Sequence, residues 1–175
     1  MNITESTYNM PLPPSKKLKK SDATTSRGAP GAPDTSALDQ CLGYSLRRAQ
    51  LSTYPAFNHS MHGFLIRPSQ FAVLVLIRHN PGLSQAAVSQ VLDIKKTNLV
   101  PLLDGLETRG LVARRKAKAD RRAFALHLTS KGEIFVEKME ARHNSMETVL
   151  RERLGEKASR QLLQLAHAFT KSLPK

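Results

Sequence analysis

Beyond the first 35 residues, apolar positions recur every three or four residues over most of the chain, the spacing of helices with one buried face. Leu38, Leu42, Leu46 and Ala49 form a first stripe, which predicts a helix from about Ser36 to Met61, capped by Asp34 or Ser36 and kinked or broken at Pro55. "RPSQFAVLVLIRHNPG" predicts a second helix. Pro68 suits its first turn, where the missing N–H is not needed, and Pro81-Gly82 stops it. "LSQAAVSQVLDI" predicts a short third helix ending near Leu92, with Ser84 as N-cap and Leu83 and Val88 as a hydrophobic staple. After a tight turn, "KKTNLVPLLDGLETRG" begins a fourth, carrying Leu99, Leu102, Leu103 and Leu106. Two short helices joined by a tight turn, the second basic at its start, make a helix-turn-helix. Pro101 lies inside that second helix. An interior proline removes one backbone hydrogen bond and crowds the carbonyl four residues back, at a cost of roughly 3 kcal/mol.

The period changes after Gly110. "LVARR" (Leu111–Arg115) and "AFALHL" (Ala123–Leu128) alternate or run apolar, as strands do, around the basic loop "KAKADRR". This predicts a two-stranded hairpin with a charged tip. Ser130, with Glu133 three residues on, predicts a capping box for a long helix to about Arg153, striped by Ile134, Phe135, Met139, Met146, Val149 and Leu150. Leu154-Gly155 ends it, and a last helix from about Glu156 to Leu173 carries Leu162, Leu165, Ala166 and Phe169. The expected fold class is mainly α with a small β wing. The expected divisions are a Pro-rich, disordered basic tail (1–35), a first long helix (36–64), the winged helix-turn-helix (65–128) and two C-terminal helices (129–175).

Composition narrows the function classes. The longest apolar run, Phe71–Ile77, is far shorter than the roughly 18 residues a membrane span needs. The N-terminus lacks the apolar core of a signal peptide. A single cysteine, Cys41, cannot form an internal disulfide and fits a reducing cytoplasm. The net charge of +13 points to a polyanionic partner. The excess is local: Leu65–Leu128 holds eleven Lys and Arg against four acids, and Arg109–Arg122 seven against one, Asp120. The run Lys16–Lys20 reads as a solvated tail. The chain has no P-loop, no G-x-S-x-G and no HExxH, so an enzyme is not expected. Glu133, Glu137 and Glu140 follow helical spacing and read as a solvated face. His59 and His62 lie three apart, but His79, His127, His143 and His167 are scattered, so neither a metal site nor a cofactor is expected.

The run from Leu83 to Gly132 resembles the winged helix-turn-helix of the MarR (multiple antibiotic resistance regulator) family. The resemblance is carried by "LETRGLVAR", "DRR" in the wing and "LTSKG" after the second strand, in an order of elements that agrees from Leu38 to Leu173. It implies a cytoplasmic, homodimeric regulator of double-stranded DNA, often a ligand-released repressor, with no membrane partner. The first helix and the last two are expected to form the dimer. Lys95 and Lys96 are then expected to meet phosphates or guanine edges, and Thr97 and Asn98 to read bases, Asn most readily adenine. Capping of the helix start is the alternative role for Thr97 and Asn98. The half from Leu99 to Leu106 is expected to pack beneath, with Pro101 setting the angle of the reading half. The family often carries a polar or basic residue near Pro101, so proline departs from its pattern. In the wing, Asp120 is expected to brace Arg122, which enters the minor groove, with Arg121 on phosphate and Arg115, Lys116 and Lys118 completing the basic set.

The resemblance also implies an effector between the dimer helices and the reading lobe. Tyr44, Arg47 and Arg48 suit an aromatic carboxylate or the phosphates of an aryl-coenzyme A thioester. His59, His62 and Phe64 are weaker candidates. The alternatives for Tyr44, Arg47 and Arg48 are dimer packing and surface ion pairs. Two other readings of the whole chain are a nonspecific architectural DNA-binding protein and a redox-sensing repressor. Peroxide-sensing relatives carry a first-helix stretch like "LDNQLCF"; here "LDQCLGY" puts Gly43 at that cysteine's place and Cys41 two residues earlier, beside Asp39.

Overall fold

The computed structural model describes residues 33–116 and 124–173. Its elements, in order, are α1 (Ser36–Asp39), α2 (Leu42–Ser60), α3 (Pro68–His79), β1 (Leu83–Ser84), α4 (Gln85–Leu92), α5 (Lys96–Thr108), β2 (Val112–Lys116), β3 (Phe124–Leu128), α6 (Ser130–Leu154) and α7 (Glu156–Ser172). The chain is mainly helical with one small antiparallel sheet. It divides into two compact units, one of Arg48–Glu147 and the other of the described residues before and after it, 33–47 and 148–173.

In the Arg48–Glu147 unit the core is aliphatic. Val73, Leu74 and Ile77 of α3, Val88 of α4, Leu99, Leu103 and Leu106 of α5, Leu126 of β3, and Val136 and Met139 of α6 are all buried. Phe71 of α3 stacks on His143 and meets Phe57 edge-on. Local chemistry starts α3 and α4 where the pattern predicts. Pro68 is the first residue of α3, and the Ser84 hydroxyl accepts the Ala87 N–H at 3.1 Å to cap α4. The turn between α4 and α5 rests on Asp93 in the left-handed region (φ 50). Ser89 secures that turn: its carbonyl accepts the Ile94 N–H, and its hydroxyl donates to the Ile94 carbonyl at 2.7 Å. Helix α5 runs from Lys96 to Thr108 through Pro101. The missing donor belongs to the second turn, so only the Thr97 carbonyl loses its partner.

Four expectations change here. The sheet has three strands in the order β1-β3-β2, because Leu83 and Ser84 pair with Leu126 and Ala125. The cap of α6 is Thr129, not Ser130: the Gly132 N–H donates to the Thr129 hydroxyl at 2.9 Å, and the Glu133 N–H donates to the Thr129 carbonyl. The acidic row of α6 divides: Glu133 and Glu137 are exposed, as expected, but Glu140 is not left to solvent. Glu140 takes a 2.8 Å contact from Arg78 and one of 3.1 Å from His79, with Glu133 3.8 Å from Arg78. Ile134, expected in the α6 stripe, is 56% exposed, while Val136 is buried in its place.

One joint ties the end of α5, the entry to β2 and the start of α6 together. The Thr129 hydroxyl donates to the Gly110 carbonyl at 2.6 Å, and its N–H to the Leu111 carbonyl at 3.1 Å. Lys131 donates to the Arg109 carbonyl at 2.7 Å, and Arg109 in turn donates to the carbonyls of Phe64 and Leu65 while lying over the Phe135 ring. Gly132 packs directly on this strand entry: a Cβ there would sit 2.0 Å from the Leu111 carbonyl oxygen. A second tie joins β2 to α5. Arg114, with its side chain 18% exposed, pairs with Asp104 at 2.6 Å and with Glu107, whose carboxylate also accepts the Arg114 N–H.

In the other unit, Asp34 accepts the Ser36 N–H at 2.9 Å, which holds its carboxyl below the usual range and fixes the start of α1. The single helix expected from Ser36 to Met61 is interrupted at Gln40–Cys41, and α2 then passes through Pro55 unbroken to Ser60. Gly155, at φ 85, separates α6 from α7. The Ser159 hydroxyl donates to the Gly155 carbonyl at 2.9 Å. This unit leaves much apolar surface open: Leu38, Leu42, Leu162, Leu163 and Leu165 are 46 to 60% exposed.

Gly132→Ala is expected to lower unfolding free energy by about 3 kcal/mol, since the obstacle is backbone and cannot rotate away. An unchanged urea midpoint would contradict the close approach. Arg114→Ala is expected to cost about 1–2 kcal/mol, because it strands two carboxylates that share one cation. The loss should shrink in high salt, and the same urea titration run in 1 M NaCl checks it.

Candidate nucleic-acid interface

Helix α5 offers its buried face, Leu99, Leu103 and Leu106, to the core and its start to solvent. Lys95 is the N-cap residue, and Lys95, Lys96, Thr97 and Asn98 are all exposed. No side chain caps this helix; the Asn98 and Leu99 N–H groups instead donate to the Lys95 carbonyl at 2.9 and 3.0 Å. Thr97 and Asn98 therefore do not serve as caps, and their polar ends face outward. The helix start carries the positive end of the backbone dipole, reinforced by two lysines.

Sequence reasoning missed a neighbour of this surface. Arg67, Ser69 and Gln70 at the start of α3 line one open groove of about 790 Å³ with Asp93, Lys95, Asn98 and Pro101. The proline at the first position of α3 marks that helix start, but nothing in the sequence places it beside α5. The groove holds two cations, Arg67 and Lys95, against one acid, Asp93, so its charge favours an anion.

The two basic residues of β2 expected to contact DNA, Arg115 and Lys116, are both exposed. Strand alternation sends them to opposite faces: Lys116 is paired with Phe124, and Arg115 with Ala125. Arg114, between them and the core, is held by Asp104 and Glu107 and is not available. Its Nε is buried without a hydrogen-bond partner. Lys118, Asp120, Arg121 and Arg122 lie outside the described residues.

The expected effector residues fall on α2 and after it. Tyr44 is half-buried and Arg47 and Arg48 exposed, with Tyr44 and Arg47 in one unit and Arg48 in the other. His59 is exposed. His62 lines a groove of about 390 Å³ with Asn58, Met61, Gly63, Leu65 and Ile66. Phe64 is half-buried and meets Phe135 edge-on at 5.2 Å, with the Arg142 guanidinium over its ring. Cys41 is exposed at the break between α1 and α2, its thiol donating to the Ala37 carbonyl at 3.4 Å. Among the described residues, no group of three or more His, Cys, Asp or Glu is placed to hold a metal ion. None of their helices is long and apolar enough to cross a membrane.

The MarR family model matches residues 66–123, from the start of α3 to the wing. The transcriptional repressor CouR, solved bound to a 23-mer DNA duplex, is 34% identical with a TM-score of 0.75, over 79% of this chain and 99% of that one. CouR bound to p-coumaroyl-CoA gives 33% identity and a TM-score of 0.73, over 79% of this chain and 97% of that one. A curated relative from Thauera aromatica, named for transcriptional regulation of the hcr operon, is 34% identical over 94 residues. That match spans 52% of this chain and 55% of the relative, about half the length of each. With the family pattern lying on the helix-turn-helix itself and a third of the residues shared across almost the whole of CouR, this chain belongs to the MarR family.

Proposed function

We propose that the protein is a transcriptional repressor that binds double-stranded DNA as a homodimer and is released by an aromatic carboxylate or an aryl-coenzyme A thioester, in control of aromatic-compound catabolism. The observation that carries the DNA reading is the uncapped, exposed start of α5, where Lys95, Lys96, Thr97 and Asn98 stand together beside Arg67. CouR, similar over nearly its whole length, was captured on a duplex. The open leucines of α1, α2 and α7 support self-association, because a solvent-facing apolar surface of this kind is stable only when covered.

In this reading Lys95 and Lys96 neutralise phosphates, Thr97 and Asn98 meet base edges, and Arg115 and Lys116 carry the basic surface toward the wing. Lys118 and Arg121 add phosphate contacts, and Arg122, braced by Asp120, enters the minor groove. A two-fold dimer carries two reading helices, so its site is pseudo-palindromic with half-sites about one helical turn apart. The effector reading leans on CouR, which was solved with p-coumaroyl-CoA. Tyr44 and Arg48 lie four apart on α2, and Tyr44 and Arg47 three apart, so an aromatic ring and guanidinium groups share one side of that helix. A hundredfold loss of DNA affinity requires about 2.8 kcal/mol of differential binding, within reach of charge-assisted contacts and ring burial.

Fluorescence anisotropy with duplexes enriched by the chain from a random pool tests the DNA reading. Lys96→Ala should weaken binding across sequences and reduce the slope of log K against log salt by about 0.9. Asn98→Ala should instead lower the preference for enriched over scrambled duplex. Equal binding to enriched and scrambled duplex by the unaltered chain would leave a nonspecific architectural role. The same assay tests the effector: aryl-coenzyme A thioesters and free aromatic acids are titrated into the complex. One of the two classes should release the DNA, and Arg47→Ala or Arg48→Ala should blunt the response while sparing DNA affinity. An intact complex with both classes at millimolar concentration would contradict it.

A further inference from the structure

The outward face of α5 carries residues that neither the helix nor the core requires. Leu99, Leu103 and Leu106 define the buried side. At about 100° per residue, Thr97 and Pro101 fall opposite them, and Val100 falls on the flank beside Lys96. Val100 is 43% exposed and Pro101 is exposed as well. Both are poor choices for an exposed helical position. Valine loses side-chain freedom there, and proline past the first turn forfeits a hydrogen bond. Nothing in folding rewards them, since solvent would accept any good helix former.

Their surroundings identify the occupant. Toward the helix start stand Lys95, Lys96 and Asn98, a cationic and polar rim suited to a polyanion. Toward the helix end, Asp104 and Glu107 are drawn to Arg114, so their charges are partly neutralised. Between these lies a patch built from the Thr97 methyl, the Val100 methyls and the Pro101 ring, at positions i, i+3 and i+4. In the major groove the apolar group a base edge presents is the thymine C5-methyl.

We propose that Val100 and Pro101 form a thymine-methyl reader on the recognition helix, making them specificity-determining residues beyond the polar contacts of Thr97 and Asn98. This rests on the DNA-binding function proposed above. Burying one methyl contributes about 0.8 kcal/mol, a factor of roughly four in affinity. Proline serves this purpose well: its ring is rigid and lacks an N–H, so it loses little freedom and leaves no donor unpaired on contact.

The test uses the full chain and duplexes it enriches from a random pool. Each thymine of the enriched sequence is replaced singly by deoxyuridine, which removes the C5-methyl and leaves the base-pairing edge intact. One or two thymines in each half-site should lose about fourfold in affinity. Val100→Ala should bind the thymine and deoxyuridine duplexes with more nearly equal affinity, and the double variant with Pro101→Ala should narrow the difference further, leaving only what the Thr97 methyl sustains. Alanine favours the helix at both positions, so these variants are expected to fold. If no deoxyuridine replacement matters, or if the sensitivity is undiminished in the double variant, the methyl-reading proposal is overturned while DNA reading stands. If the chain enriches no sequence at all, the reading function fails and takes the proposal with it.

Discussion

The contact on which the Arg48–Glu147 unit depends is the seat of Gly132 on the backbone of Leu111. A glycine is required because a Cβ would come within 2.0 Å of the Leu111 carbonyl oxygen. At that distance α6 can begin directly against the entry to β2, and Thr129 can reach both Gly110 and Leu111. Lys131 and Arg109 extend the same joint to the loop at Phe64 and Leu65. The two motif fragments "RGLV" and "LTSKG" are thus two halves of one connection. It sets where the wing leaves the domain relative to the end of α5.

A second consequence concerns charge. Positive residues of this chain play two distinct parts. Arg78, Arg109 and Arg114 are spent internally, on carboxylates or carbonyls. Lys95, Lys96, Arg115 and Lys116 remain at the surface. Arg114 shows why this separation matters: by occupying Asp104 and Glu107, it binds wing to helix and also mutes the acids on a face otherwise suited to a polyanion. The surface proposed to read DNA is therefore shaped as much by the pairing of acids as by the display of bases.

Much of this was legible in the residues. Pro68, Ser84 and Gly155 announce helix boundaries by backbone chemistry that acts within a few residues, and each lies where the pattern predicts. The uncovered start of α5 was visible as a run of polar residues before an apolar stripe. What escaped is non-local. Strand β1 has two residues, too few to show a period, and exists because Leu126 and Ala125 offer an edge. The break at Gln40–Cys41 leaves the leucine stripe intact on both sides, so periodicity passes over it. Thr129 rather than Ser130 caps α6 because the Gly110 and Leu111 carbonyls already hold it, a partner set assembled by the fold. Counting charges could not separate the engaged Arg114 from the exposed Arg115. The neighbourhood of Arg67 and Lys95 likewise depends on how α3 lies against α5.

If the joint at Gly132 holds the unit together, its amides should open only when the whole unit unfolds. Native-state hydrogen exchange on the full chain measures this directly, through the Thr129 and Gly132 amides compared with those of Leu103 and Leu106 in the core of α5. The account predicts that all four exchange with the same opening free energy and the same dependence on denaturant. Faster exchange at Thr129 and Gly132, through an opening insensitive to denaturant, would show that wing and α6 separate locally and would contradict it.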